Sequence, residues 1–286
     1  MTSVAILLVL SSAFTHALWN YLSKRAIGGI AFIWLFGVIE VVLYFPIFLF
    51  TVIRQDVVIG GIELIMLLGS AMLHLVYFSA LIRGYQVADL SIVYPFSRGL
   101  GPVLSTIAAV ILLHERPSLL AVFGTVLIAI GIIGLTGDPR KFRKDNLLTG
   151  LFYASVTGVT IAAYTIWDSY TVSTVGLSPF VFEWGVTTIR MIVITPIALR
   201  HWGDVQLAWT HDKWKAAGVG ILSSLSYILM LFALSTSPVS YVGPLRSISI
   251  LMGIVMGAYL LKEGDLQKRF GAASIMVIGA IALGLG

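Results

Sequence analysis

Two arginines, Arg98 and Arg246, stand in otherwise apolar sequence among prolines and glycines. Their surroundings read Tyr94-Pro95-Phe96-Ser97-Arg98-Gly99-Leu100-Gly101-Pro102 and Val242-Gly243-Pro244-Leu245-Arg246. A guanidinium at the centre of a membrane helix costs about 2.5–3.5 kcal/mol on insertion scales, so it is kept for a partner or a pathway. Its planar fork can hold a carboxylate or phosphonate through two parallel hydrogen bonds. A structural ion pair with Glu40, Glu183 or Asp168 is the plainer use of the same charge. A proline inside a helix removes a backbone hydrogen bond and crowds the preceding turn. In hydrocarbon the freed groups need partners from protein or from a water-filled cavity. Pro238, Gly243 and Pro244 lie in the second segment much as Pro95, Gly99 and Pro102 lie in the first. Paired interruptions of this kind point to a transport site; a kink that serves packing alone is the alternative.

Three acids fall inside apolar segments: Glu40, Asp168 and Glu183. Burial disfavours the charged form of a carboxyl group, so an acid at such a depth is suited to carrying a proton across. Glu183 and Arg190 are seven residues apart, on one helix face, and can equally neutralise each other. His74 is a lone histidine, either a proton relay or a hydrogen-bonded core residue. Trp19, Trp167, Trp184, Tyr77, Tyr94, Tyr164 and Tyr227 supply rings away from the segment ends. Such rings sandwich substrates or cage ammonium groups; for any one of them core packing or an interfacial belt is the alternative. Asn20, beside Trp19, completes the set of candidate substrate ligands.

These residues belong to a pattern that occurs twice at an offset of 148 residues. Trp19 matches Trp167, Asn20 faces Asp168, Gly37 matches Gly185 and Arg98 matches Arg246. Leu112-Leu113 match Leu260-Leu261, Glu115 matches Glu263 and Gly131 matches Gly279. Trp, Arg and Glu are scarce here, so shared greasiness does not account for these matches. The chain divides into a first repeat over 1–137, a basic connection over 138–147 and a second repeat over 148–286.

The elements that position these residues must be membrane helices. Hydrophobic residues make up 58% of the chain and charged residues 11%, against roughly 25% charged in soluble domains; mean hydropathy is +0.99. A bilayer core of about 30 Å needs roughly 20 apolar residues per helix. The spacing predicts spans at 3–23, 31–53, 62–83, 89–113, 118–136, 148–171, 178–199, 214–236, 239–261 and 267–285. The fold expected is an all-α integral membrane protein, ten helices in two five-helix repeats around a central cavity. Five is odd, so the second repeat enters the bilayer inverted. The first apolar run lacks a basic flank and reads as a retained helix. Gly253 and Gly257 form a GxxxG, matched by Ser105 and Ala109, for close helix packing or a dimer face.

The sequence resembles the EamA family of the drug/metabolite transporter superfamily over essentially its whole length. The resemblance rests on Val93-Tyr94-Pro95-Phe96-Ser97-Arg98 with Leu112-Leu113-His114-Glu115. It rests equally on Val242-Gly243-Pro244-Leu245-Arg246 with Leu260-Leu261-Lys262-Glu263. It implies carriage driven by protons or another gradient through a central cavity. It does not fix the substrate, because members move amino acids, sugars, nucleotide sugars, cations and drugs. Glu115 and Glu263 read as structural markers that anchor loops.

The expected function is therefore secondary transport by alternating access, coupled to protons, of a small zwitterion or anion such as an amino acid or aminophosphonate-like metabolite. The rivals are an exporter of organic cations or drugs, held by an aromatic cage and an acid, and a non-transporting membrane subunit. Catalysis is not expected: HExxH, GxSxG and Walker A motifs are missing from the sequence. Cysteine is absent and the histidines are scattered, so neither a metal nor a cofactor is expected. Basic loops are explained by orientation and anionic lipid rather than by nucleic acid. The expected setting is multi-pass in a bacterial inner membrane, as monomer or homodimer. Lys24, Arg25, Arg83, Arg140, Lys141, Arg143, Lys144, Arg200, Lys213, Lys215, Lys262, Lys268 and Arg269 fall on one side; Arg54 and Arg116 fall on the other. Basic short loops stay cytoplasmic, which puts both termini outside, whereas the family resemblance implies cytoplasmic termini.

Overall fold

The computed structural model describes residues 1–24, 26, 29–87, 90–134, 147–260 and 266–286. All regular elements among them are helical, as hydrocarbon demands of a chain whose backbone must satisfy itself. The first half holds α1 (Ser3–Lys24), α2 (Gly29–Arg54), α3 (Gly61–Val87), α4 (Leu90–Leu112) and α5 (Leu119–Gly134). The second holds α6 (Leu147–Tyr170), α7 (Pro179–Arg200), α8 (Trp202–Thr236), α9 (Val239–Arg246), α10 (Ile248–Leu260) and α11 (Leu266–Leu285). Six described helices are long and apolar enough to cross a membrane: α1, α2, α3, α7, α8, and α6 with the π-turn Thr171–Val175 that extends it. The apolar parts of α4, α5 and α11 are shorter. The protein is an α-helical membrane protein.

Two sequence expectations are corrected. The segment over 200–213 is not a connection: α7 ends at Arg200 and α8 begins at Trp202. The chain turns at His201, whose N–H returns to the Ala198 carbonyl (3.1 Å) while its own carbonyl accepts the Asp204 N–H (3.0 Å). The polar residues that follow stay helical because the helix satisfies their backbone, and Asp212 pairs with Lys215 one turn on (2.5 Å).

The second correction concerns the paired interruption, which is found in the second half only. There α9 stops at Arg246, and the Ser247 N–H closes a tight turn onto the Pro244 carbonyl (3.0 Å). α4 runs unbroken through Pro95, Gly99 and Pro102. The Ser105 and Thr106 hydroxyls donate to the Pro102 carbonyl (3.0 and 2.9 Å), the back-bonding to the preceding turn common for serine and threonine within helices.

α1 packs along α8, α6 along both α3 and α4, α2 against α7 and α8, and α5 along α11, with α9 and α10 beside α1. Without a hydrophobic force between helices in lipid, small residues and buried hydroxyls make these contacts. Ser12 and Ser226 each donate to the other's carbonyl across α1–α8 (2.7 and 2.9 Å). A Cβ on Gly124 would stand 2.5 Å from the Gly279 carbonyl oxygen, and one on Gly279 would stand 2.7 Å from that of Gly124. The α5–α11 crossing therefore requires glycine on both helices. Gly253, half of the GxxxG, has no atom of the described residues within 4 Å of where its Cβ would be.

Candidate functional site

A small internal cavity opens where α4 of the first half meets α1, α6, α8, α9 and α10. It is lined by His16, Arg98, Pro102, Ser105, Ile161, Tyr164, Thr165, Met230, Gly243, Arg246, Ser247, Ser249 and Ile250. Arg98 enters from the middle of α4 and Arg246 from the last residue of α9, at the helix break. The repeat-related arginines thus face one space from opposite halves.

Each guanidinium rests on an aromatic shelf. Arg98 donates to the Tyr77 hydroxyl (2.9 Å) and lies 5.9 Å from that ring's centroid. Arg246 lies 5.3 Å from the Tyr227 centroid and reaches His16 Nδ1 at 3.5 Å. The Arg246 Nε is buried without a hydrogen-bond partner, and among the described residues no carboxylate comes within 4.0 Å of its guanidinium. A buried donor without an acceptor costs about 1–3 kcal/mol, more when charged, so the geometry suits an anionic occupant. Ser247 and Ser249 add hydroxyls around it, while those of Ser105 and Thr165 already donate to the Pro102 and Ile161 carbonyls (3.0 and 2.6 Å).

A polar column leads away from the arginines. Tyr77 meets Tyr164 edge to face (5.8 Å between centroids), and Tyr164 stacks on His74 (4.3 Å). His74 meets Tyr227 edge to face (5.5 Å), and the Tyr227 hydroxyl donates to the fully buried carboxyl of Asp168. His74 Nδ1 is held by the Ser70 carbonyl (3.0 Å) on its own helix. Asp168, His74, Tyr227 and Arg246 are therefore connected through touching groups, with Tyr227 in the middle.

Glu40 and Glu183 form a second cluster between α2, α7 and α8. The Thr187 hydroxyl sits within 3.0 Å of Glu40 and 3.3 Å of Glu183, and it accepts from Arg190 (2.5 Å). Ser223 and Ser224 also donate to Glu40, and Arg190 pairs with Glu183 at 3.7 Å. These acids pair with Arg190 and with hydroxyls, not with either cavity arginine.

Several ring candidates serve packing. Trp167 donates to the Met66 carbonyl (2.9 Å) and ties α6 to α3. Trp184 donates to the Val41 carbonyl (2.9 Å) and stacks on Phe48 (3.9 Å), tying α7 to α2. Trp19 packs with Phe32, Leu35 and Val219 and meets His16 edge to face (5.0 Å). The Asn20 amide donates to the His16 carbonyl (2.7 Å) of its own helix. The side chain of Tyr94 lies outside the described residues, as do Gly257 and Glu263. His16 was missed by sequence reasoning; its signal was its place one turn before the repeat-matched Trp19–Asn20 pair.

Glu115 is more than a loop marker. Its two carboxylate oxygens accept the Val239 and Ser240 N–H groups (2.7 and 2.9 Å) at the start of α9, the helix that ends in Arg246.

The model of the EamA-like transporter family matches residues 3–137. No curated protein sequence matches the chain. Among solved structures, one crystal structure superposes with a TM-score of 0.78 at 16% identity, over 100% of this chain and 98% of that one. At that identity the likeness bears on the fold alone.

Proposed function

We propose that this chain, a member of the EamA-like transporter family and so of the drug/metabolite transporter superfamily, is a secondary carrier of a small anion or zwitterion. The observation that carries this is Arg246: a half-buried guanidinium whose buried Nε has no hydrogen-bond partner, on a cavity shared with Arg98, with no carboxylate beside it among the described residues. An intramembrane arginine kept apart from acids marks a pathway for an anion.

The carrier works by alternating access between two inverted halves of five spans, 1–137 and 148–286, with α9 and α10 forming one broken span. The α5–α11 crossing supports this. Gly124 lies against Gly279, and Gly131 lies against Ala272 and Met276, so the two helices run antiparallel. With α11 read as the repeat of α5, this antiparallel packing supports copies that point in opposite directions through the bilayer. The contacts also exchange under the offset of 148: Gly131 meets Ala272 and Met276, while Gly279 meets their counterparts Gly124 and Ile128. Inverted repeats give one site two equivalent openings.

Coupling runs through Asp168, which is fully buried and linked through Tyr227 to the arginine that holds the substrate. Proton and substrate then act on one shared side chain. Glu40 and Glu183 hold α2, α7 and α8 together around Arg190. The setting is a bacterial inner membrane.

The test begins with purified protein and a thermal-stabilisation screen across small carboxylates, amino acids, aminophosphonates and organic cations. Compounds that stabilise it are then followed in proteoliposomes. Stabilisation by an anion or zwitterion, lowered roughly a hundredfold in affinity by Arg98→Gln or Arg246→Gln, is expected. Stabilisation by cations alone, unaffected by either substitution, would overturn the anion assignment. Failure of the purified protein to transport any stabilising compound would favour a subunit of a larger assembly.

A further inference from the structure

α9 is an eight-residue helix, about 12 Å long, and both of its ends are unusual. At its C-terminus it delivers Arg246 into the cavity and stops. At its N-terminus it follows Ser237 and Pro238, both extended, and Pro238 provides no side-chain cap. The first N–H groups of such a helix have no partner within it. Here they are met from the other half of the protein: Glu115 Oε1 accepts from Val239 (2.7 Å) and Oε2 from Ser240 (2.9 Å), more than 120 residues away in sequence.

Glu115 is itself held in place. The Leu113 and Glu115 N–H groups both return to the Ala109 carbonyl (3.0 and 3.2 Å), and His114 between them adopts a positive φ of 54°. This turn at the end of α4 aims the carboxylate at α9. A second strut comes from Tyr241, whose hydroxyl accepts the Ser118 N–H (3.2 Å) and donates to the Gly286 carbonyl (3.3 Å). A carboxylate at one end of α9 and a guanidinium at the other both oppose the local helix-end charge.

We propose that Glu115 is a positioning residue for the substrate arginine: by gripping the N-terminus of α9 it sets the place of that short rigid helix, and so the place of Arg246 against the cavity wall formed by α4. This rests on the carrier proposed above only in assigning Arg246 to the anion; the mechanical link is a property of the fold. Glu115 touches no substrate. α4 thus contributes twice, with Arg98 from its middle and with the carboxylate that follows its end. Ser247 tightens the chain into a turn at the end of α9 while staying in the helical region (φ −63°, ψ −13°), so the grip at Glu115 fixes the other end of the eight residues that carry Arg246.

The cysteine-free chain allows a test that needs no substrate. Ser105 lines the cavity from α4 and would stand 3.0 Å from a Cβ on Gly243 of α9, so a thiol there senses Arg246 from across the helix interface. In Ser105→Cys, the rates of modification by anionic and cationic methanethiosulfonates of similar size are compared in proteoliposomes. Their ratio reports the local positive potential. Adding Arg246→Gln is expected to lower the anion preference by at least about fivefold. Adding Glu115→Ala is expected to lower it most of the way to the same value although Arg246 is still present, and the Arg246→Gln change should then have little further effect. Arg98→Gln should lower the ratio equally in both backgrounds.

If Glu115→Ala fails to yield monodisperse protein, Glu115→Gln, which keeps the shape and one good acceptor, should give an intermediate ratio. Glu115→Asp should retain more of the preference than Glu115→Ala. A ratio that falls with Arg246→Gln but not with any change at Glu115 overturns the positioning role and leaves the carrier proposal standing. A ratio that does not respond to Arg246→Gln overturns both.

Discussion

Arg246 and Asp168, opposite in ordinary charge and both in the interior, do not pair: Tyr227 stands between them. Its ring faces the guanidinium at 5.3 Å and its hydroxyl donates to the carboxyl group. A direct ion pair would neutralise both groups and leave little for a ligand to gain. The intervening tyrosine keeps the arginine available while holding the acid one hydrogen bond away.

Substituting Asp168 separates coupling from binding. Asp168→Asn is expected to abolish proton-driven accumulation in proteoliposomes while counterflow exchange persists, because exchange needs no net proton movement. Tyr227→Phe keeps the ring under Arg246 and should weaken accumulation in the same direction. Loss of exchange as well in Asp168→Asn would assign the residue to binding or folding instead.

The Glu183–Arg190 pair is a stability element. Removing one partner of a buried pair costs about 3–5 kcal/mol, and removing both is far milder. Arg190→Met should therefore lower the melting temperature in detergent sharply, and Arg190→Met with Glu183→Met should recover much of the loss. Equal destabilisation by the single and the double change would contradict the pairing.

The α5–α11 crossing should tolerate nothing larger than hydrogen at its centre. Gly124→Ala and Gly279→Ala are expected to destabilise the protein by about 1–3 kcal/mol each through overpacking. Gly253→Ala, with no described atom within 4 Å of the added Cβ, should leave the melting temperature unchanged. A reversed order would show that the crossing has been misassigned.

Orientation follows from the basic connections. With both termini outside, a cysteine at Phe142 should be protected from an impermeant maleimide in intact cells, and one at Gly286 should be labelled. The opposite pattern would place the termini in the cytoplasm, as the family resemblance implies.

The repeat and the arginine pair were legible because scarce residue types recur at one offset, a signal independent of hydropathy. Which way a ring faces was not. Trp167 and Trp184 sit in segments as apolar as those of Tyr164 and Tyr227, and only packing turns the first two toward carbonyls on α3 and α2. The start of α8 was missed because Asp204, His211, Asp212 and Lys213 read as a loop, whereas backbone bonding continues through them regardless of polarity. His16 read only as one of several scattered histidines; it faces the cavity because α1 lies beside α9 and α10.

The turn at Ser247 has no counterpart in α4, so the two halves are related in sequence but unequal in shape. In a carrier whose halves exchanged shapes perfectly, the two open states would be equally populated at rest and would show the same half-saturation from either face. With one jointed and one continuous arginine-bearing helix, those states differ in free energy even without a gradient. The proposed carrier is therefore expected to show unequal apparent affinities on the two sides of the membrane.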